Sequence, residues 1–448
     1  MSDCTLFDFA GLLYGKERGR IARMMILRGI IGIAILLGIC YLLSNGRSRI
    51  NWRVVVGGII LQILLAFFIL KTDIGIAVEW VSSGFVTLLS FSDQGAGFMF
   101  GELIDASKYG FAFKVLPTII FVSALTSILY YLGILQWVVF GFAWVMKRIM
   151  GLSGAESLAT AANVFIGQTE APLVVKPYVA AMTRSELMAL MTGGMATIAG
   201  SVFGLYIVTL AADDPIVKVQ VARQLLTASF MNAPAALLIA KMLVPEREKF
   251  NDDLFVPREK QGSNLLEALT NGTTEGLKLA LNVAAMLIVF VAVIALVNAI
   301  FGWFGGLFDG WLNGIISSLS GGVFPTLTLQ SLVGFLFSPF AWVIGANQGD
   351  LLQLGQLLGT KMVTNEFIAY LELGGMKEAG TLSPKAVFLA TFALCGFANF
   401  SSIGIQIGGI GALAPERRSD LARLGFIAMI GGTLASLLSA CVAGMFFS

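Results

Sequence analysis

No histidine occurs among the 448 residues. Its absence excludes acid–base catalysis by imidazole, bis-histidine haem and most catalytic zinc sites. Charge is scarce as well: 12% of the residues are Asp, Glu, Lys or Arg, against roughly 25% in an ordinary soluble domain. The four cysteines (Cys4, Cys40, Cys395 and Cys441) lack metal-like spacing and three lie in apolar runs, so they read as small buried hydrophobes. A formal net charge of +2 is too small to imply a nucleic-acid partner. No Walker-type glycine–lysine loop is present, which argues against an ATP-driven pump. The first 20 residues lack an apolar core followed by a small-residue cleavage site, so no cleavable signal is expected.

What remains is apolar. The chain is 57% hydrophobic with a mean hydropathy of +0.86. Runs of about 20 apolar residues recur along it, as membrane-spanning helices require, with room for roughly eight to ten spans. The composition predicts an all-α polytopic membrane protein. Spans are expected at 21–43, 54–70, 111–135 (with 137–145 as a continuation), 186–211, 224–244, 277–302, 325–346, 385–412 and 421–447. Residues 72–91, with Glu79 and Trp80, suggest an interfacial helix, and the glycine-rich stretch 92–110 suggests irregular backbone. Residues 245–263 form the one clearly aqueous loop and divide the chain into halves. Lys16, Arg18 and Arg20, counted together with Arg23 and Arg28 in the first turns of that span, outnumber Arg47, Arg49 and Arg53 after it, which favours a cytoplasmic N-terminus.

Against this background a carboxylate inside an apolar stretch carries information. Glu170 follows Gly167, Gln168 and Thr169 and precedes Pro172. A charge at membrane depth costs roughly 2.5–3.5 kcal/mol on insertion scales and persists where it has a partner or a task. With glycine and proline interrupting the helix, the segment reads as a broken helix of the kind that binds solutes within a bilayer. A second interrupted segment carries Thr364-Asn365-Glu366-Phe367. Each is followed by a glycine-punctuated apolar stretch, Gly193–Ser201 in one half and Gly396–Gly404 in the other. Paired interruptions of this kind mark the substrate site in transporters built from inverted repeats; the competing reading is two kinked helices glued by Asn, Ser and Thr.

Other charges have simpler readings. Lys114, Lys176 and Lys361 fit snorkelling or hairpin-end positions. Glu275 and Lys278 can pair across one helical turn, and Glu156 suits a helix N-terminus. Glycosylation-type triplets at Asn271 and Asn399 are a pattern common by chance, and the second lies in an expected span.

Three stretches together resemble the concentrative nucleoside transporters, most closely the bacterial sodium-coupled branch: Gly167–Leu173, Val363–Phe367 and Cys395–Ser402. The likeness runs from about residue 30 to the C-terminus, in the family's order of motifs. The resemblance implies about eight spanning helices, two re-entrant hairpins, interfacial helices and an internal inverted repeat, assembled as a homotrimer in the bacterial inner (plasma) membrane. It implies that Gln168, Thr169 and Glu170 contact the nucleobase with Val202 beside it. It further implies that Glu366, Asn399 and Ser402 hold the ribose and that Phe397 lies against the nucleoside. The sodium ligands it implies are the side chains of Asn163 and Thr197 and the carbonyls of Ile166 and Ile198. No cofactor beyond the coupling ion is implied. Thr197 stands where sodium-coupled relatives carry serine, and Gly345-Ala346-Asn347-Gln348 stands where a proline is expected.

The implied organisation has an unassigned extension (1–20), scaffold helices with an interfacial helix (21–150) and a first transport unit (151–245). A polar loop (246–263), further scaffold helices (264–346) and a second transport unit (347–448) follow. The chemistry agrees with it. A nucleoside is neutral and rich in hydroxyls, so its recognition needs carboxylate acceptors and amides that both give and accept hydrogen bonds. Sodium needs hard oxygen ligands, which an Asn, a Thr and unwound carbonyls supply. One sodium crossing about 100 mV and a tenfold gradient together supply about 3.7 kcal/mol, enough for roughly 500-fold accumulation of a neutral solute. The expected activity is import of nucleosides by sodium symport through alternating access. Proton coupling through a buried glutamate is the alternative; a membrane-embedded enzyme with Glu170 and Glu366 as an acid–base pair and a passive channel stand further off.

Overall fold

The computed structural model describes residues 4–104, 111–211, 214–249 and 262–447. Within them the chain is built from helices, as a bilayer demands: without water to satisfy backbone N–H and C=O groups, each segment must bond internally. The first part comprises α1 (Cys4–Leu43), α2 (Trp52–Lys71), α3 (Ile74–Phe100), α4 (Leu116–Tyr131) and α5 (Ile134–Met150). A broken hairpin follows, α6 (Gly154–Ile166) with the short α7 (Ala171–Val174) and α8 (Lys176–Val179). Then come α9 (Arg184–Ala196), α10 (Gly200–Ala211) and α11 (Pro215–Leu243). The second half contains α12 (Leu265–Leu319), α13 (Leu329–Val343), the hairpin α14 (Leu351–Val363) and α15 (Glu366–Glu378), then α16 (Pro384–Leu394), α17 (Phe400–Leu413) and α18 (Arg418–Gly444). The order hairpin, short helix, break, short helix, long helix thus occurs in both halves.

Among the described residues, eight helical stretches are long and apolar enough to cross a membrane. They differ in places from the expected spans. The stretch 92–110, expected to be irregular, is helical as far as Phe100 as part of an α3 that runs unbroken from Ile74, and its residues 105–110 lie outside the described residues. After residue 302, where the glycine- and tryptophan-rich sequence suggests a connection, two helices meet at a kink: Leu307–Gly310 leave helical geometry and the second helix runs on to Leu319. In α3, internal bonding of an apolar backbone outweighs the low helix propensity of glycine. The expected span at 325–346 is only the 15-residue α13, and 385–412 is two helices separated at Cys395–Asn399. The expected span 186–211 is divided at Thr197–Ala199. The expected first span extends N-terminally as α1 to Cys4. Most of the 245–263 loop lies outside the described residues.

Sequence signals set several helix starts. Ser153 and Glu156 form a capping box on α6, with Ser153 N–H to Glu156 Oε1 at 2.8 Å and Glu156 N–H to Ser153 Oγ at 3.3 Å. Thr183 and Glu186 repeat the device on α9, at 2.9 and 3.1 Å. Each satisfies two backbone donors that a helix N-terminus would otherwise leave free, a contribution of about 1 kcal/mol. Both boxes sit around buried Lys241 near the end of α11, whose Nζ lies 2.7 Å from Glu156 Oε2 and 3.1 Å from Glu246 Oε2 and donates to Ser185 Oγ at 3.0 Å. The hairpin base, α9 and α11 are therefore fastened at one end by a buried ion cluster. Alongside, α4 and α12 approach backbone to backbone: a Cβ at Gly276 would stand 2.8 Å from Ile120 Cα and Ser123 Cβ. Small residues four apart on both helices permit this close packing.

Candidate functional site

The first hairpin breaks at Gly167, which adopts φ +88. A side chain there would also collide with Ala199, whose Cβ lies 2.5 Å from where a Gly167 Cβ would stand, so only glycine lets this break nest against the break between α9 and α10. Pro172, expected to interrupt the helix, instead occupies the first turn of α7, where its missing N–H is not needed. Between the two, Gln168, Thr169 and Glu170 form the tip.

The second hairpin turns at Thr364–Asn365. Asn365 caps α15, accepting from Ile368 N–H at 2.9 Å, and so places Glu366 at the positive N-terminal end of that helix. Two donors hold the Glu366 carboxylate: Tyr206 Oη to Oε1 at 2.9 Å and Asn399 Nδ2 to Oε2 at 3.1 Å. Asn399 does this while capping α17, its Oδ1 accepting from Ser402 N–H at 2.9 Å and Ser401 Oγ at 2.7 Å. A single side chain thus starts a helix and orients a buried carboxylate.

The breaks of the two halves lie back to back. Asn232 on α11 donates from its one Nδ2 to Ala196 O at 2.8 Å and to Cys395 O at 2.6 Å, the carbonyls at which α9 and α16 end. Gly396, at φ +148, rests on the same junction, since a Cβ there would come within 2.5 Å of Ala196 O.

These elements enclose a cavity of about 470 Å³, within the range of small-molecule sites. Its lining includes all eight residues expected at the substrate: Gln168, Thr169, Glu170, Val202, Glu366, Phe397, Asn399 and Ser402. Gln168 also bridges the halves, donating from Nε2 to Ser402 Oγ at 3.1 Å. A second cavity, about 410 Å³, adjoins it and shares Glu170; Ser123, Thr126, Tyr130, Glu275 and Lys278 line it. Glu275 and Lys278 therefore face a polar space beside the hairpin tip.

The four residues expected at the sodium site gather behind that tip. Thr197 Oγ1 lies 3.2 Å from Asn163 O and 3.0 Å from Gly193 O. Asn163 Nδ2 donates to Ala159 O at 3.1 Å, while its Oδ1 is buried and accepts no hydrogen bond. Ile166 ends α6 and Ile198 lies in the break after α9, so their carbonyls belong to unwound ends. A buried amide oxygen without a partner, a hydroxyl and helix-end carbonyls form a donor set that suits a hard monovalent cation.

Some positions were not legible beforehand. Lys361 does not snorkel: it is 2% exposed and donates to Ala393 O at 2.9 Å and Ser436 Oγ at 3.0 Å, tying the second hairpin to α16 and α18. Asn399 is buried and committed to Glu366, which removes it as a glycosylation acceptor. Tyr206, Asn232 and Gln406 carry no signal in the sequence beyond being polar residues within apolar runs. The Gly345–Asn347 turn closes against α1, where Arg28 Nη2 donates to Ala346 O at 2.6 Å.

Three family models match the chain in order: Na+ dependent nucleoside transporter N-terminus over residues 31–103, nucleoside recognition (Gate) over 112–213, and Na+ dependent nucleoside transporter C-terminus over 224–444. An uncharacterized transporter of Haemophilus influenzae is 45% identical over 436 residues, which cover 94% of this chain and 98% of that protein. Sodium/nucleoside cotransporter 1 of Rattus norvegicus is 41% identical across 93% of this chain and 63% of its own length. Among solved structures, CNTnw in an inward-facing substrate-bound state superimposes with a TM-score of 0.85 at 38% identity, covering 94% of this chain and 99% of that one. A CNTnw variant in an outward-facing state gives 0.84, also at 38% identity, covering 94% and 98%. Relatedness over nearly the whole length identifies this chain as a member of the Na+-dependent nucleoside transporter family, a multi-pass membrane carrier and not an enzyme.

Proposed function

We propose that the protein imports nucleosides by sodium symport, one nucleoside occupying the cavity between the two hairpin tips. The observation that carries this reading is the convergence on one cavity of the polar tip of the first hairpin and of Glu366, Asn399 and Ser402 from the second half. Gln168, Thr169 and Glu170 meet the base, with Val202 bordering it. Glu366, Asn399 and Ser402 hold the ribose hydroxyls, and Phe397 lies against the nucleoside. The Glu366 carboxylate, oriented by Tyr206 and Asn399, accepts hydrogen bonds from hydroxyls that carry no charge of their own. An analogue lacking one of those hydroxyls leaves buried polar groups unpaired and is rejected.

Sodium is held by Asn163, Thr197 and the carbonyls of Ile166 and Ile198, and it supplies a positive charge that fixes the first hairpin. Asn163 and Ile166 belong to that hairpin and Thr197 and Ile198 to the next break, so the ion joins them. Occupancy then shapes the tip that reads the base, which is how the ion gradient is coupled to the substrate. The hairpin-bearing segments 151–245 and 347–448 move as the transport unit against the scaffold of 21–150 and 264–346. In this reading the hairpins are re-entrant and the two halves are related by inversion. The chain lies in the inner membrane as a homotrimer, to which the exposed apolar side chains of α12, including Leu281, Ile288, Val291 and Leu296, lend support.

Uptake of labelled uridine into proteoliposomes tests the proposal. The expected result is uphill accumulation under an inward sodium gradient that disappears in Glu170→Gln and Glu366→Gln. Equal accumulation under a pH gradient with sodium absent overturns the choice of ion. Equilibration without accumulation under either gradient overturns the carrier.

A further inference from the structure

Gln406 lies on α17 outside the set of residues lining the substrate cavity, 1% exposed, yet it dictates how one of them is presented. Its Nε2 donates to Met191 O at 3.1 Å and to Gln168 Oε1 at 3.1 Å. The chemistry fixes the sense of this chain. A backbone carbonyl can only accept, so the atom of Gln406 facing Met191 must be the amide nitrogen. That nitrogen in turn requires an acceptor across from it, so Gln168 must turn Oε1 toward Gln406. The Nε2 of Gln168 is then left on the other side, one hydrogen on Ser402 Oγ at 3.1 Å and the second available to the cavity. Room for the amide pair depends on Gly194, since a Cβ there would come within 2.5 Å of Gln406 Nε2 and 3.0 Å of Gln168 Cβ.

We infer that Gln406 is a positioning residue that locks Gln168 as a hydrogen-bond donor toward the base, and so selects nucleosides whose base offers a carbonyl beside a ring N–H, as uridine and inosine do. The inference rests on the proposed nucleoside site. In such a lactam edge the C=O accepts from Gln168 while the N–H donates to the carboxylate of Glu170 two residues on. An exocyclic amine in the place of that carbonyl meets the Gln168 N–H donor to donor and leaves a buried polar group unpaired.

Competition against labelled uridine in proteoliposomes of the full chain tests this, with 4-thiouridine replacing only the position-4 oxygen by a weak acceptor, cytidine changing position 4 and removing the N3 hydrogen together, and 2′-deoxyuridine and 3′-deoxyuridine varying only the sugar. The wild type should bind uridine at least about fivefold more tightly than either base analogue. Gln406→Leu frees the Gln168 amide to rotate, and the spread at position 4 should shrink to within about twofold while the ratios for the deoxy sugars stay unchanged. Gln406→Glu keeps the shape but supplies acceptors, so Gln168 should turn its Nε2 toward the new side chain and the uridine-to-cytidine ratio should fall by at least about twofold, the N3 contact with Glu170 being unaltered. The inference is overturned by a wild type that binds nucleosides without discriminating at position 4. It is also overturned by unchanged position-4 ratios in whichever of the two variants folds, or by a parallel collapse of base and sugar selectivity. A wild type that binds none of these nucleosides removes the proposed site itself and the inference with it.

Discussion

Tyr206 donates its phenolic hydroxyl to Glu366 at 2.9 Å across 160 residues of sequence, linking the helix after the first break to the tip of the second hairpin. The ring is fully enclosed, 4.6 Å from that of Tyr370 with the planes 31° apart, so the hydroxyl has little freedom to point elsewhere. Tyr206→Phe keeps the ring and removes only the donor. Nucleoside KM is expected to rise about five- to tenfold, the equivalent of about 1–1.5 kcal/mol, with sodium activation unchanged. Transport kinetics on the purified variant measure this, and an unaltered KM would show that the hydroxyl does not tune the carboxylate.

Gly396→Ala should act on stability. The residue adopts φ +148, and a methyl group there would meet the backbone carbonyl of Ala196. Because the obstacle is backbone rather than a flexible side chain, relief requires separating the two breaks that Asn232 holds together. A loss of about 2–4 kcal/mol is expected, seen as a lower melting temperature in detergent. Asn232→Leu should lower it through the same junction, and the two effects should be less than additive.

Asn163→Ala removes the buried amide oxygen that accepts no hydrogen bond. The sodium concentration for half-maximal uptake should rise at least about tenfold, the loss of one ligand, while uridine affinity at saturating sodium changes by less than about threefold. Titration of uptake against sodium separates the two quantities. A proportional loss of both at every sodium level would argue that Asn163 supports the fold alone.

Lys241→Met leaves Glu156 buried without its cation and should cost about 3–5 kcal/mol, whereas Lys241→Met with Glu156→Gln should recover much of the loss. Thermal unfolding of the single and double variants reads this directly. Beside them, burial alone would push the Glu246 carboxyl up, but Lys241, with hydrogen bonds from Thr183 and Glu248, holds it below the usual carboxylate range. Its folded value lies below the unfolded one of 4.5, so this contribution is present above that pH and fades as acid titrates the carboxylate. Glu246→Gln should flatten the acid side of the stability profile.

Much was legible in the sequence, for a physical reason. A bilayer permits few backbone solutions, so hydropathy alone announces a helical membrane protein. Polar cost does the same for the site, because Glu170 and Glu366 in apolar surroundings demand an explanation that Val or Leu would not. Capping pairs such as Ser153 with Glu156 are likewise local, set within four residues. Composition misled where helix continuity was at stake, at Ser92–Phe100, since low propensity is overruled when no water is present to take the backbone bonds.

Tertiary structure decided which polar residues meet. Nothing in the spacing indicates that Asn232 reaches two breaks at once, that Lys361 turns inward to Ala393 and Ser436, or that Gln406 sets the face of Gln168. Each is a single polar side chain on an apolar helix, and its partner lies tens to hundreds of residues away. The sequence by itself determined that the chain spans a membrane and keeps two costly carboxylates there. The tertiary structure decided their orientation, because hydrogen-bond direction depends on which donor faces which acceptor across packed helices.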